Sequence, residues 1–142
     1  MVFGLEDDLG FVMARTQRTM RRWLMARIGP LGITYAQFQV LNALCQEQNL
    51  SQSELAGRVN MDKTSLARML DRMERTGLVD RRADPADSRI NRVTLTDKGR
   101  HLQGRVTPLR DLGLSQAVDG LSEKEAGDLK RLLNQVYDNM QP

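Results

Sequence analysis

Two groups of side chains in the middle of the chain have the types and spacing needed to contact duplex DNA. In the first, Thr64 and Arg68 lie on a predicted helix, opposite an apolar side that includes Leu66. An arginine in the major groove can donate two hydrogen bonds to guanine O6 and N7, worth about 1–3 kcal/mol of discrimination. Amides and hydroxyls at a helix start can bind phosphate. The predicted DNA contacts are Ser51, Gln52, Lys63, Thr64, Ser65, Arg68, Arg72, Asp87 and Arg89.

The second group is Asp87 and Arg89, in the polar segment 83–90 between two strand-like segments. Arginine suits the minor groove of narrow A·T tracts, where negative potential is concentrated. A carboxylate two residues away would hold the guanidinium in an extended pose. The alternative interpretation is an ordinary solvated hairpin tip.

Arg72 and Arg75, on the preceding helix, also have an alternative interpretation, which is pairing with Asp71 or Glu74. We favour this pairing over base contact for Arg75.

The charge of the chain is unevenly distributed. Residues 58–105 carry twelve Lys or Arg and seven Asp or Glu, a net charge of +5, whereas the rest of the chain has a net charge of −2. A basic central third indicates an anionic partner at that part of the chain. Charge alone is equally compatible with a solvated basic surface.

Residues 52–76 have the pattern of a helix-turn-helix. Ala56 is small where the two helices must cross, and Asn60 tolerates the left-handed backbone that the turn requires. Apolar residues at the expected offsets would fix the helix pair to a core: Leu55, Val59, Met61, Leu66 and Met69. A plain helical hairpin is the alternative.

Capping signals and changes of hydrophobic period define the other elements. Capping boxes at Thr34, Ser51 and Ser122 predict helices over 35–47, 52–58 and 123–140. An amphipathic helix is predicted over 5–28, and another from Asp62 to Gly77. Segments 78–82 and 91–95 predict a β-hairpin. Thr96 should begin a helix that Pro108 and Gly113 bend or end.

The predicted fold is mainly α with a small β-hairpin wing, a winged helix-turn-helix with long N- and C-terminal dimerisation helices. One domain covers residues 1–142; its winged-helix lobe is 34–100, with the helix-turn-helix at 52–76 and the wing at 78–95. The helices of 1–32 and 110–142 carry more apolar surface than a small core needs. We therefore expect them to pair with a second copy, with packing on their own core as the alternative. Two-fold symmetry would place the DNA-binding helices of the two copies roughly 34 Å apart.

The segment from Met73 to Gly99 resembles the wing signature of the MarR family of bacterial regulators. The matching positions are an Asp-x-Arg pair and a Leu-Thr-x-x-Gly run: Asp87, Arg89, Leu95, Thr96 and Gly99. Ser88 departs from the pattern, which often has a second arginine there. The resemblance implies a homodimer on a palindromic operator, usually acting as a repressor. It also implies release by a small anionic or phenolic ligand, or by cysteine oxidation.

The resemblance places a ligand pocket where the first two helices meet the DNA-binding lobe. An arginine beside aromatic or methionine side chains there could hold an aromatic carboxylate. The candidates are Met13, Arg15, Arg18, Met20, Trp23 and Tyr35. A solvated basic stripe, or one paired with acids 6–8 of a second copy, is the alternative. Cys45 is expected on the apolar side of its helix as an inert hydrophobe, which argues against redox sensing.

The sequence contains no Gly-rich phosphate loop, Ser-His-Asp set, HExxH or CxxC motif, so we expect neither an enzyme nor a metal or cofactor site. A single cysteine, an acidic N-terminus and the lack of an 18-residue apolar run predict a cytoplasmic protein without a membrane segment. The alternatives to a ligand-released repressor are a winged-helix protein-interaction module that does not bind DNA, an activator, and a redox sensor acting through Cys45.

Overall fold

A computed structural model describes Gly4 and residues 8–142. Within that range the chain forms six α-helices and one three-stranded antiparallel sheet. In chain order the elements are α1 (Leu9–Ile28), a 3₁₀ turn (Gly29–Leu31), α2 (Tyr35–Gln46), β1 (Leu50–Ser51), α3 (Gln52–Val59), α4 (Lys63–Arg75), β2 (Val79–Ala83), β3 (Asn91–Leu95), α5 (Asp97–Ala117) and α6 (Glu123–Asn139). The predicted class, mainly helical with a winged helix-turn-helix, is confirmed.

Side-chain caps begin the helices close to the predicted residues. The capping boxes at Thr34 and Ser122 are complete. At α3 only half of the predicted box forms, because the Ser51 hydroxyl oxygen accepts from the Glu54 amide at 3.0 Å but Glu54 does not return a bond. The Glu54 carboxylate lies instead 3.8 Å from Nη1 of Arg92, on the wing.

One apolar core joins α2, α3, α4 and the sheet. The helix-turn-helix contributes seven buried side chains to it: Leu55, Ala56, Val59, Leu66, Met69, Leu70 and Met73. Burial of each large aliphatic side chain contributes about 1.5–3 kcal/mol. Asn60 adopts the predicted left-handed backbone, with φ of 53°. The core thus fixes one side of α4 and leaves its other side at the surface.

The wing belongs to a sheet in which β3 is the central strand. β2 pairs with β3 from Val79 opposite Leu95 to Ala83 opposite Asn91, so the hairpin is confirmed. The sequence did not predict β1, whose Leu50 pairs with Val93. Because β1 leads directly into α3, one sheet connects the wing to the start of the helix-turn-helix.

The helix after the wing is longer than predicted. α5 continues from Asp97 to Ala117, so Pro108 and Gly113 do not end it, and the other half of the prediction, that they bend it, stays a prediction. Proline removes one helical hydrogen bond, but α5 is held on both sides of Pro108 by the buried Val106 and the half-buried Leu109. Gly113 serves the packing of α5 on α1, since a Cβ at this position would lie 2.8 Å from Cζ3 of Trp23.

The first and last helices leave apolar surface uncovered. α1 begins at Leu9, and the predicted start at Leu5 lies outside the described residues. Of the residues in α1 only Leu24 and Ile28 are buried, and none is buried in α6. The large apolar side chains exposed on α6 are Leu129, Leu132, Leu133 and Tyr137. In the part of the chain that the structure describes, no helix is both long and apolar enough to span a membrane.

Candidate nucleic-acid interface

The polar side of α4 is presented to solvent as a continuous surface. Leu66, Met69, Leu70 and Met73 face the core, so the residues between them must point outward. The predicted contacts on this helix are all exposed: Lys63, Thr64, Ser65, Arg68 and Arg72. A helix held by its apolar side with such an opposite face has the arrangement that enters a major groove.

The start of α4 is organised by Asp62. Its carboxylate accepts from the Ser65 amide at 2.7 Å and from the Ser65 hydroxyl at 2.7 Å. These two bonds lower the pKa of Asp62 below its ordinary value, the amide bond contributing most. The hydroxyl proton of Ser65 is therefore already donated, whereas Lys63 and Thr64 keep exposed donors for phosphate.

Ser51 and Gln52 are less available than the residues of α4. Ser51 is only 8 % exposed and its hydroxyl oxygen caps α3. Gln52 is partly buried, and its side-chain oxygen is buried without a hydrogen-bond partner among the described residues. Their prediction as DNA contacts stays a prediction, and the geometry gives Ser51 a capping role.

Asp87 and Arg89 form the oriented pair that the sequence predicts at the wing tip. Nε of Arg89 donates to Oδ1 of Asp87 and Nη2 donates to Oδ2, each at 3.0 Å. These bonds lower the pKa of Asp87 and raise that of Arg89. The Arg89 side chain is nevertheless 87 % exposed, so its outer N–H groups point into solvent where DNA could accept from them.

Acidic residues of α4 pair with the wing rather than with arginines of their own helix. Nη2 of Arg81, on β2, lies 2.5 Å from the Asp71 carboxylate and 3.2 Å from that of Glu74. The pairing with these carboxylates that the sequence favoured for Arg75 is therefore wrong, and the same alternative for Arg72 does not form among the described residues. Nε of Arg75 donates to the backbone oxygen of Asp71, and Arg72 has no carboxylate partner within the described residues. Arg81 thus fixes β2 to α4 and leaves the charge of Arg72 available.

A cavity of about 490 Å³ lies between α1, α2 and α5. Three of the predicted ligand contacts line it, Met20, Trp23 and Tyr35. Met13, Arg15 and Arg18 do not line it. Met13 shares the side of α1 that carries Met20 but lies two turns earlier, ahead of Gln17, the first residue of α1 that lines the cavity. Arg15 and Arg18 lie on the other side of α1, and Arg15 lies over the ring of Phe11. The predicted meeting of arginine with aromatic rings does occur, but with different arginines.

Sequence reasoning missed Arg21 and Arg110, which supply the cationic groups of the cavity. The Arg21 guanidinium lies 4.6 Å from the ring centroid of Tyr35. Nη1 of Arg110 donates to the side-chain oxygen of Asn42, and its Nε is buried without a partner among the described residues. The sequence contained a signal for both residues. Arg21 lies three residues before the buried Leu24 and Arg110 four residues after the buried Val106, so each shares a helix face with a core residue.

Cys45 is exposed, so its predicted place on the apolar side of α2 is wrong. Although Cys45 follows Leu41 by four residues, it belongs to the last turn of α2, where the buried row ends at Leu44. The side chain therefore projects beyond the core.

Several known regulators are similar to this chain. The family model described as MarR family matches residues 31–90. HTH-type transcriptional repressor Mb2911 of Mycobacterium bovis is 30% identical, over 94% of this chain and 97% of its own length. A mutant MarR from E. coli complexed with operator DNA has a TM-score of 0.80 at 30% identity, covering 90% of this chain and 92% of its own. BpsR of Bordetella bronchiseptica, whose DNA binding is regulated by 6-hydroxynicotinic acid, has a TM-score of 0.86 at 25% identity, covering 97% and 99%.

Proposed function

Because this chain belongs to the MarR family of transcription regulators, we propose that it represses a promoter by binding a palindromic operator as a homodimer, and that a small aromatic anion releases it. The observation that carries the DNA-binding proposal is the solvent-facing polar side of α4, on a helix whose other side is locked into the core. The exposed Arg89 on the wing would be a second group that contacts DNA.

The two elements would read different grooves. α4 would enter the major groove, where Arg68 can bind guanine through two N–H donors while Lys63 and Thr64 contact phosphate. Arg89 would reach the adjacent minor groove. Asp87 uses two of the N–H donors of Arg89, so it aims the guanidinium while leaving its outer N–H groups for DNA.

A homodimer would cover the apolar surfaces of α1 and α6. α6 buries no residue in the protomer, yet Leu129, Leu132, Leu133 and Tyr137 are each 39–58% exposed. A solvated helix would not need this row of apolar groups, whereas a two-fold interface would bury it on both copies. The same interface would set the separation of the two α4 helices.

The cavity between α1, α2 and α5 suits a small aromatic anion. Trp23, Tyr35 and Phe38 line it with aromatic side chains, and Arg21 and Arg110 line it with cationic ones. Nε of Arg110, which has no partner among the described residues, could donate a hydrogen bond to a carboxylate. Because α1 lines the cavity and would also form part of the dimer interface, a ligand bound there would alter the separation of the two α4 helices.

A fluorescence-anisotropy titration tests the DNA-binding proposal. Wild-type protein should bind duplex from the promoter beside its own gene more tightly than scrambled duplex, and affinity should fall steeply with salt. Arg68→Ala should weaken specific binding by about 5- to 150-fold. The matched control is Arg131→Ala on α6, which removes the same charge and should have little effect. Equal, salt-insensitive binding to both duplexes would exclude the proposed function.

The ligand proposal has a separate test. 4-Hydroxybenzoate should raise the melting temperature of the wild-type protein and lower its affinity for operator, since a ligand that binds one folded state stabilises it. Arg110→Met should remove both responses without weakening operator binding in the absence of ligand. Unchanged responses in that variant would show that Arg110 does not hold the anion.

A further inference from the structure

We propose that Arg92 is a positioning residue for DNA binding, which ties the wing tip to the start of the helix-turn-helix and so fixes the direction in which Arg89 is presented. The inference rests on the proposed function and concerns a residue that need not touch DNA itself. Arg92 lies on β3, and its side chain is 29% exposed, against 87% for Arg89.

The guanidinium of Arg92 connects two separate parts of the lobe. Nε donates to Oδ2 of Asp84, in the wing loop, at 2.7 Å. Nη1 donates to the backbone oxygen of Asn49, immediately before β1, at 3.3 Å, and lies 3.8 Å from the Glu54 carboxylate of α3. One side chain therefore spans from the wing loop to the residues that begin the helix-turn-helix.

Asp84 carries this connection into the tip. Its Oδ1 accepts from the backbone amides of Ala86 at 2.7 Å and Asp87 at 3.2 Å, while its Oδ2 is occupied by Arg92. The hydrogen bond from Arg92 is the main cause that lowers the pKa of Asp84, so this carboxyl is ionised at neutral pH. Asp87, whose amide is held by Asp84, in turn holds the Arg89 guanidinium.

The tip is also closed by its own backbone hydrogen bonds, from the Asp84 amide to the Ile90 oxygen at 2.7 Å and from the Ile90 amide to the Asp87 oxygen at 3.0 Å, but these bonds do not attach it to the helix-turn-helix. Pro85, Ala86, Ser88 and Ile90 are exposed, so apolar packing contributes little to its conformation. The other attachments of the wing, the ion pairs from Arg81 to α4 and the pairing of β3 with β1, act at the strands and not at the tip. Arg92 and Asp84 are partly exposed, at 29% and 13%, and an ion pair near the surface adds little to stability. Their effect should instead be to reduce the conformational entropy that the wing loses when it binds DNA.

Substitution of Asp84 separates this role from simple electrostatics by the sign of the effect. Removal of a negative charge near DNA should tighten binding if charge alone matters. An asparagine, however, has one side-chain oxygen, so Asp84→Asn can keep the bonds to the tip amides or the bond to Arg92, but not both. The positioning role therefore predicts weaker binding.

The experiment measures operator affinity for four variants of the full chain, with circular dichroism to verify folding. Asp84→Asn and Arg92→Ala should each weaken binding about fivefold, and the double variant should be no weaker than either. Asp80→Asn is the matched control, because Asp80 is an exposed acid on β2 with no side-chain partner in the described structure, and it should not weaken binding. Tighter binding by Asp84→Asn, or additive losses in the double variant, would overturn the proposal.

A measurement without DNA keeps the inference distinct from the proposed function. Hydrogen exchange of the Ala86 and Asp87 amides should be faster in Arg92→Ala than in wild type, and unchanged in Asp80→Asn. If the wild-type protein fails to bind the operator but the exchange result holds, the proposed function is wrong and the connection is real. If exchange is unchanged by Arg92→Ala, the connection itself is wrong.

Discussion

The close approach of α5 to α1 at Gly113 predicts that two glycines of the same helix respond oppositely to alanine. A Cβ at Gly113 would lie 2.8 Å from Cζ3 and 3.1 Å from Cε3 of Trp23, both atoms of a rigid indole. The Arg27 guanidinium lies 3.5 Å from the Trp23 ring centroid and restricts how the ring can move away. At Gly104, nine residues earlier in α5, no such atom lies within 4 Å of an added Cβ.

The expected change in the free energy of unfolding is the sum of two opposing contributions. Replacement of glycine by alanine inside a helix stabilises it by about 0.8–1.0 kcal/mol. Overpacking costs about 1–3 kcal/mol, and it applies only at Gly113. Gly104→Ala should therefore raise the free energy of unfolding by about 1 kcal/mol, whereas Gly113→Ala should leave it unchanged or lower it by up to about 2 kcal/mol.

Urea denaturation followed by circular dichroism would measure both values, at one protein concentration because a dimer's stability depends on it. Equal stabilisation by the two variants would refute the argument that Trp23 needs the space above Gly113. Because Trp23 and Gly113 both line the cavity, Gly113→Ala should also alter the affinity for an aromatic anion.

Three further predictions concern the wing, the proposed dimer and the start of α4. Arg89→Ala should weaken operator binding about tenfold in fluorescence anisotropy, while light scattering should still show a dimer. The control Ser88→Ala should bind as wild type. Loss of the dimer in Arg89→Ala would contradict the assignment of Arg89 to the wing. Leu133→Asp should produce a monomer in light scattering, with Lys130→Ala as the control that stays dimeric. The folded-state pKa of Asp62 is lowered, so its stabilising effect should be complete above about pH 4 and disappear as the pH falls through the lowered pKa. When stability is measured during acid titration, Asp62→Asn should lack this pH-dependent contribution of Asp62. An acid transition identical to that of the wild-type protein would contradict the prediction.

The helix-turn-helix could be predicted because its signals are local. Asn60 specifies the left-handed turn residue, Asp62 caps the next helix within three residues, and the apolar rows of α3 and α4 repeat at the helical period. Each of these signals is complete within a few residues of the position it describes. The hairpin was predictable for the same reason.

The features that the sequence did not predict depend on contacts between distant segments. β1 has only two residues, and its existence depends on pairing with Val93 from the wing. Gly113 has the residue type of a helix stop, but its role is decided by Trp23 on another helix. Arg21 rather than Arg18 lies in the cavity because the position of α5 determines which side of α1 faces it. Local patterns place Arg21 on the helical row of Leu24, but they specify neither the strand pairing nor the packing of one helix on another.

The acidic residues of the basic segment have a common explanation in the structure. A carboxylate near a DNA-binding surface repels phosphate, so seven of them between residues 58 and 105 would weaken a purely electrostatic interface. Six of the seven have a local partner in the structure, as a helix cap or in an ion pair: Asp62, Asp71, Glu74, Asp84, Asp87 and Asp97. The arginines held on the wing are 81, 89 and 92, whereas Arg68 and Arg72 on α4 have no carboxylate partner in the described residues. The basic segment therefore contains two sets of cations, those on α4 that are free to contact DNA and those on the wing whose direction is fixed. We expect the two sets to respond differently to substitution, a difference that the net charge of +5 does not show.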